Sequence, residues 1–241
     1  MIGALKNLCT LFVVLLLLSN AQVWAAGDVV YLSGTVIGNL PGQSPRLLEI
    51  NSKIREGETV STAEGSFVRI RFIDNSEMAL RPNTAIQVNA IRYKAAEPRE
   101  DNFAVSLIKG GLRSVTGLIG KRNKEKVKVN TPLASLGIRG THFGLQLCEG
   151  NGCDAFTTAS GKPLRNGLYA DVAEGIVYLE NAKGTLDLTK DEFGYVADAQ
   201  TAPEKLAPED GYRVQLPYSV LFESSTQLWS EGSQCSACVM Q

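Results

Sequence analysis

Residues 67–72 read Phe-Val-Arg-Ile-Arg-Phe, and the alternation in this hexapeptide decides the fold class. In an extended chain Val68, Ile70 and Phe72 point to one side while Arg69 and Arg71 point to the other. That is the period of a half-buried strand with its charged face in water. Asp74-Asn75 follows with turn chemistry, residues 77–80 begin a return strand, and Pro82-Asn83 breaks it. Working outward from this hairpin, similar runs occupy 29–37, 86–93, 103–108, 111–116, 127–130, 141–147, 168–172, 175–179, 185–188 and 193–197. Turn residues recur roughly every ten positions, the spacing of all-β architectures. No stretch after the first 26 residues keeps apolar residues at i, i+3, i+4 and i+7 over three turns, so helix is minor. The expected fold is all-β: one domain of short strands, sandwich-like or irregular and solenoid-like.

Composition agrees with a folded chain of this size. Hydrophobic residues make up 44% of the 241 positions, enough for a real core. The 24 Lys and Arg against 25 Asp and Glu give a net charge of −1, which lacks the overall basic field of a nucleic-acid binder. A single histidine, His142, argues against a multi-histidine metal site, and no cofactor is expected.

The N-terminus reads as an address. Lys6 precedes an apolar run over 8–18, and Val23-Trp24-Ala25 offers a small-residue cleavage site, the plan of a secretory signal peptide over residues 1–26. The apolar run falls short of the ~20 residues needed to cross a bilayer. The expectation is therefore export to the periplasm or beyond, with no stable membrane span.

Loss of that leader removes Cys9 and leaves Cys148, Cys153, Cys235 and Cys238. Cys148 and Cys153 bracket Glu-Gly-Asn-Gly, a sequence suited to a tight turn, so a local disulfide is expected there. Cys235 and Cys238 form a second candidate pair in a C-terminal extension, 198–241, which follows a domain over 27–197. Zinc ligation and a redox motif are the competing readings. An oxidising compartment disfavours the first, and the second lacks the βαβ context that lowers a thiol pKa.

The most informative segment runs from 110 to 143, where glycines at 110, 111, 117, 120, 137 and 140 are expected to mark sharp reversals between strands. An ordered series of motifs surrounds it. The series opens with Glu56-Gly57-Glu58-Thr59-Val60, then Gly65, then Ile73-Asp74-Asn75-Ser76 with Met78, Leu80 and Pro82-Asn83. It continues with Gly110-Gly111-Leu112-Arg113, Thr131-Pro132 and Gly137-Ile138-Arg139-Gly140-Thr141 with Phe143. In this series, which covers about residues 28–197, the chain resembles the FecR-domain family of bacterial cell-envelope proteins. The best-known members regulate extracytoplasmic sigma factors, joining a cytoplasmic sigma-binding segment and a transmembrane helix to this domain in the periplasm. Here a signal peptide stands where those parts would be, so anti-sigma activity is not carried over. The resemblance implies a periplasmic β module that binds other envelope proteins, and it supplies no catalytic residues.

Partner contacts are sought among cations. Lys121, Arg122, Lys124, Lys126 and Lys128 form a basic run with one acid, Glu125. Its bland reading is a solvated hairpin that blunts a sheet edge. Its functional reading is a site for an envelope protein or an anionic cell-wall polymer. Arg139, between two glycines, is expected to tie down nearby carbonyls or a buried acid, with a ligand-binding role as the alternative. Three functions follow in order: a non-enzymatic protein-binding or signalling-accessory module, a cell-wall or carbohydrate-binding module, and a hydrolase using His142. Neither GxSxG nor HExxH occurs, so no enzyme is expected. Tyr31, Tyr93, Tyr169 and Tyr178 are assigned to packing.

Overall fold

A computed structural model describes residues 25–220 of the chain. The strands are β1 (Ala25–Ser33), β2 (Val36–Asn39), β3 (Arg46–Leu47), β4 (Lys53–Arg55), β5 (Thr59–Thr62), β6 (Phe67–Phe72), β7 (Glu77–Leu80) and β8 (Ala85–Arg92). They continue with β9 (Asn102–Val115), β10 (Val127–Asn130), β11 (Ser135–Cys148), β12 (Gly167–Asn181), β13 (Gly184–Thr189), β14 (Phe193–Val196) and β15 (Glu204–Leu206). One α-helical turn, α1 (Leu118–Arg122), and a few 3-10 turns complete the described chain. The all-β expectation holds.

All fifteen strands share one hydrogen-bonded network, yet it works as two ladders. Strands β9, β11 and β12 each belong to both, because each bends at a glycine with positive φ: Gly110 (82°), Gly140 (66°) and Gly175 (81°). Glycine, with no Cβ, takes this backbone region without the steric cost most residues meet there. Beyond the bends, one ladder runs β4-β1-β6-β7-β9-β11-β12-β14-β15. Using the other halves of the long strands, the second runs β3-β2-β5-β8-β9-β10-β11-β12-β13. Every pairing is antiparallel except β9 with β10, which is parallel across Phe103–Ser106 and Val127–Asn130.

The core lies between the ladders. Val68, Ile70, Phe72, Leu80, Leu112 and Leu145 from the first meet Ile86, Phe103, Val105, Leu107, Leu136 and Val177 from the second. Phe72 and Phe103 bridge them edge to face at 5.2 Å between ring centres. Each such aliphatic or aromatic side chain, fully buried, contributes about 1.5–3 kcal/mol.

Several expectations change here. The runs expected at 103–108 and 111–116 are one strand, β9, and those at 168–172 and 175–179 are one strand, β12. Gly110 and Gly140 are bends within strands rather than reversals between them. The run over 29–37 splits at Gly34, whose φ is +81°. Ala25 and Ala26 lie in β1, and Ala26 is buried with its carbonyl accepting from the Ile73 N–H. Of the expected leader, residues 1–24 lie outside the described residues.

The outer face of β6 stays in water mainly at Arg71, whose side chain is 41% exposed. Arg69 is only 8% exposed, beside Glu77 at 3.5 Å. The chain after β15 returns across this ladder and covers it. Tyr212, Val214, Leu216 and Val220 are buried or half-buried, while Arg213 and Gln215 between them are more open. Val220 packs on Ala79 with Tyr31, Phe67, Val115 and Leu216 around it. Tyr212 and Val214 join Cys148, Cys153, Tyr169 and Tyr195 in a second small core. The expected Cys148–Cys153 disulfide is present, with the Cα atoms 5.4 Å apart, and its loop helps seat this strap. The described part of the extension therefore wraps on the domain. Cys235 and Cys238 lie outside the described residues.

Candidate functional site

The two ladders differ in what covers their outer faces. The first carries the strap. On the second, the outward residues of the central strands form cross-strand rows. One row is Gln87–Ser106–Asn130–Ser135–Glu180–Thr185. The next is Ala90–Ala104–Lys128–Gly137–Tyr178–Asp187. Apart from Gly137, none of these residues is buried. This is an open sheet face of small and polar side chains.

Tyr178 organises its centre. A Cβ at position 137 would fall inside the phenol ring of Tyr178, well within the 3.0 Å that real Cβ atoms keep. Glycine is therefore required there for the ring to lie across β11. Around the ring, Lys128, Ser135, Gly137, Glu180 and Asn181 line a groove of about 390 Å³. The Ser135 hydroxyl bonds Asn130 at 3.0 Å, and that of Ser106 bonds Asn89 at 2.8 Å. The charged groups have no such partners: Lys128, Glu180 and Asp187 make no ion pair among the described residues. The face is thus polarised, with cations over β10 and β11 and carboxylates over β12 and β13.

The six candidate contact residues separate. Lys128 sits on the open face. Lys121 in α1, and Lys124 and Lys126 in a 3-10 turn (Lys124–Lys126), lie where β10 begins; all are exposed. The hairpin expected for this run is absent, and β10 is not an edge, since β9 and β11 flank it. Arg122 turns inward. Its Nε and Nη2 donate to the buried Asp101 carboxylate at 2.7 and 2.6 Å, and its other contacts are the carbonyls of Lys94 and Ala95 and the Tyr93 ring. The Arg122 hydrogen bonds hold the Asp101 carboxyl below the usual carboxylate range. That bidentate fork is a structural clamp. Against its structural reading, the Arg139 side chain is exposed and forms no hydrogen bond or ion pair to a described residue. It projects from the first half of β11, two residues from Gly137 on the same side.

Sequence reading assigns Tyr178 to packing, finds no nucleophile motif around Ser135, and gives Asn181 and Glu180 no role. The signal for Tyr178 and Glu180 was present in Val177-Tyr178-Leu179-Glu180, which puts both opposite the core pair Val177 and Leu179.

His142 lies on the strapped ladder, opposite Val115 and Glu174, and does not line the groove. Its pKa is lowered from 6.5 to about 4, mainly by burial, with the Arg113 and Arg213 charges adding to the effect. The folded ring is neutral at pH 7, and as pH falls the unfolded chain takes up a proton first. Stability is complete above about pH 6.5 and is lost toward pH 4, by about 2–3 kcal/mol for this group. Denaturant melts at pH 7 and 4.5 should show His142→Gln losing that much less than the native chain. Equal losses in both proteins would contradict the burial of this imidazole.

Residues 58–162 match the family model for FecR protein. The matched stretch takes in β5 to β11, the disulfide loop and all six candidate cations. No curated protein matches the chain. Among solved structures, two crystal structures at 2.50 and 1.65 Å resolution, described as a candidate anti-sigma factor from Parabacteroides distasonis ATCC 8503, are similar at 14% identity, with TM-scores of 0.45 and 0.44. The likeness covers 63% of this chain and 60% of each of those chains, so this chain spans about three fifths of their length.

Proposed function

Starting from the FecR domain match over residues 58–162, we propose that this chain is an exported, non-enzymatic module that binds an envelope protein in a signalling assembly. Its contact surface is the open sheet face, with Lys128, Arg139 and Tyr178 at the centre and Lys121, Lys124 and Lys126 at the end. The observation that carries this reading is the contrast between faces. One is sealed by the chain's own tail, while the other keeps charged groups that make no ion pair among the described residues, beside the half-buried ring of Tyr178. Exposed cations steer an acidic surface toward the face, and the Tyr178 groove supplies the apolar contact that anchors it. The Cys148–Cys153 disulfide and the leader-like first residues fit an oxidising compartment outside the cytoplasm.

The test compares envelope proteins retained by the native chain and by a variant with Lys121, Lys124, Lys126 and Lys128 all changed to Glu. These four side chains are exposed and make no ion pair among the described residues, so folding should be unaffected. A specific protein retained by the native chain at low salt, lost at high salt and absent with the variant is the expected result. Equal retention by both proteins, or recovery of cell-wall polysaccharide alone, would overturn the reading.

A further inference from the structure

Each ladder has two edge strands, and three of these four edges are blunted. In the first ladder, β4 has three residues, and β15 has three between Pro203 and Pro208. In the second, β3 has two residues and follows Pro45. Short edges and prolines of this kind keep a sheet from pairing with other chains. The fourth edge, β13, is different. It has six residues, Gly-Thr-Leu-Asp-Leu-Thr, and no proline.

Its free backbone groups follow from its pairing. A two-residue turn, Ala182-Lys183, makes Asn181 and Gly184 a hydrogen-bonded pair, so Gly184, Leu186 and Leu188 bond β12. Thr185, Asp187 and Thr189 then turn their N–H and C=O groups outward. Thr189 is capped by its own chain. Its N–H donates to Glu192 Oε2 at 2.8 Å, and its carbonyl accepts from the Glu192 N–H at 3.0 Å. At the other end, the Lys183 N–H donates to Asn181 Oδ1 at 2.9 Å. Thr185 and Asp187 are exposed, and their main-chain groups bond no described residue. The open edge is therefore the short stretch Thr185-Leu186-Asp187, stopped at both ends.

That stretch is complementary to itself. A two-fold axis at Leu186 sets Thr185 of one copy opposite the partner's Asp187, and the reverse. Four hydrogen bonds form, two at each of these pairs, and they satisfy every free group of both stretches. The side chains agree. Thr185 and Asp187 share the open face, so a hydroxyl meets a carboxylate at each pair, while Leu186, half-buried on the inner side, meets its twin. An axis at Asp187 would oppose two carboxylates, and one at Thr185 would need the Lys183 N–H, which is taken. We propose that β13 pairs antiparallel with β13 of a second copy about this axis, joining two open ladders into one continuous sheet. So few paired residues make a small interface, and the dimer is weak and reversible. β12 separates β13 from the strands of Arg139 and Lys128, so the dimer leaves those cations open. The inference goes beyond the envelope-protein reading and does not depend on it.

Light scattering of the full chain from about 0.01 to 1 mM should show its mass rising from monomer toward dimer. Thr185→Pro removes an outward donor and no bond to β12, so it should weaken the dimer at least tenfold with little change in the urea midpoint. Thr185→Lys should tighten it by about three- to tenfold, because two Lys–Asp pairs form across the axis. Adding Asp187→Lys opposes lysine to lysine and should leave only monomer. A native chain that stays monomeric to ~1 mM, a dimer indifferent to Thr185→Pro, or a dimer that Thr185→Lys loosens would overturn the proposal.

Discussion

Changing Gly175 to alanine should destabilise the protein by about 2–5 kcal/mol, while the same change at Gly140 should cost only about 1–2 kcal/mol. The two glycines face one another where β11 and β12 pass from one ladder to the other, and both have positive φ, 81° and 66°. Left-handed strain is therefore common to both substitutions. They differ in space. A Cβ on Gly175 would strike the carbonyl of Gly140, which is backbone and cannot yield cheaply, whereas a Cβ on Gly140 meets nothing within 4 Å. Urea melts of the two variants measure the difference directly. Equal costs would mean that the close crossing of the two strands is not a real constraint on the fold.

The second large effect concerns the pair under the strap. Arg113→Met alone leaves the Asp171 carboxylate buried without its partner, and Asp171→Leu alone strands the guanidinium. Each single change should cost about 3–5 kcal/mol, and the double replacement much less than their sum. Removing one partner leaves an uncompensated charge out of water, while removing both replaces the pair with apolar volume. A double-mutant cycle at constant pH gives the coupling. Near-additive losses would contradict the pairing. Proteolysis around residues 207–217 should rise in all three variants, since each lacks at least one hydrogen bond to Val214.

What the sequence made legible follows from range. Alternation over 67–72 is local, and β6 forms where it predicts, because each residue's side is set by its immediate neighbours. The Cys148–Cys153 clip is equally local, closed by a Gly-Asn-Gly turn. The roles of Gly110, Gly140 and Gly175 are not local. A glycine with positive φ serves a turn or a bend equally well, and only the partner strands decide between them. Arg122 looked like one more cation in a basic run. What turned it inward is Asp101, some twenty residues away in the chain and buried beside it. Arg139 misled in the opposite direction, since two flanking glycines suggested tight packing and it stands in solvent. The outer face of β6 was read as wet because nothing in Phe67–Phe72 reports that residues 212–220 return to cover it.

The central claim is that the open ladder face around Lys128 and Arg139 meets another protein. Placing a photo-crosslinking amino acid at Lys128 or Arg139 in the living cell tests it directly, with exposed Lys53 on the far edge strand as control. The account predicts one defined protein adduct from 128 and 139 and none from 53. Adducts from position 53 alone, or equal labelling at all three, would contradict it.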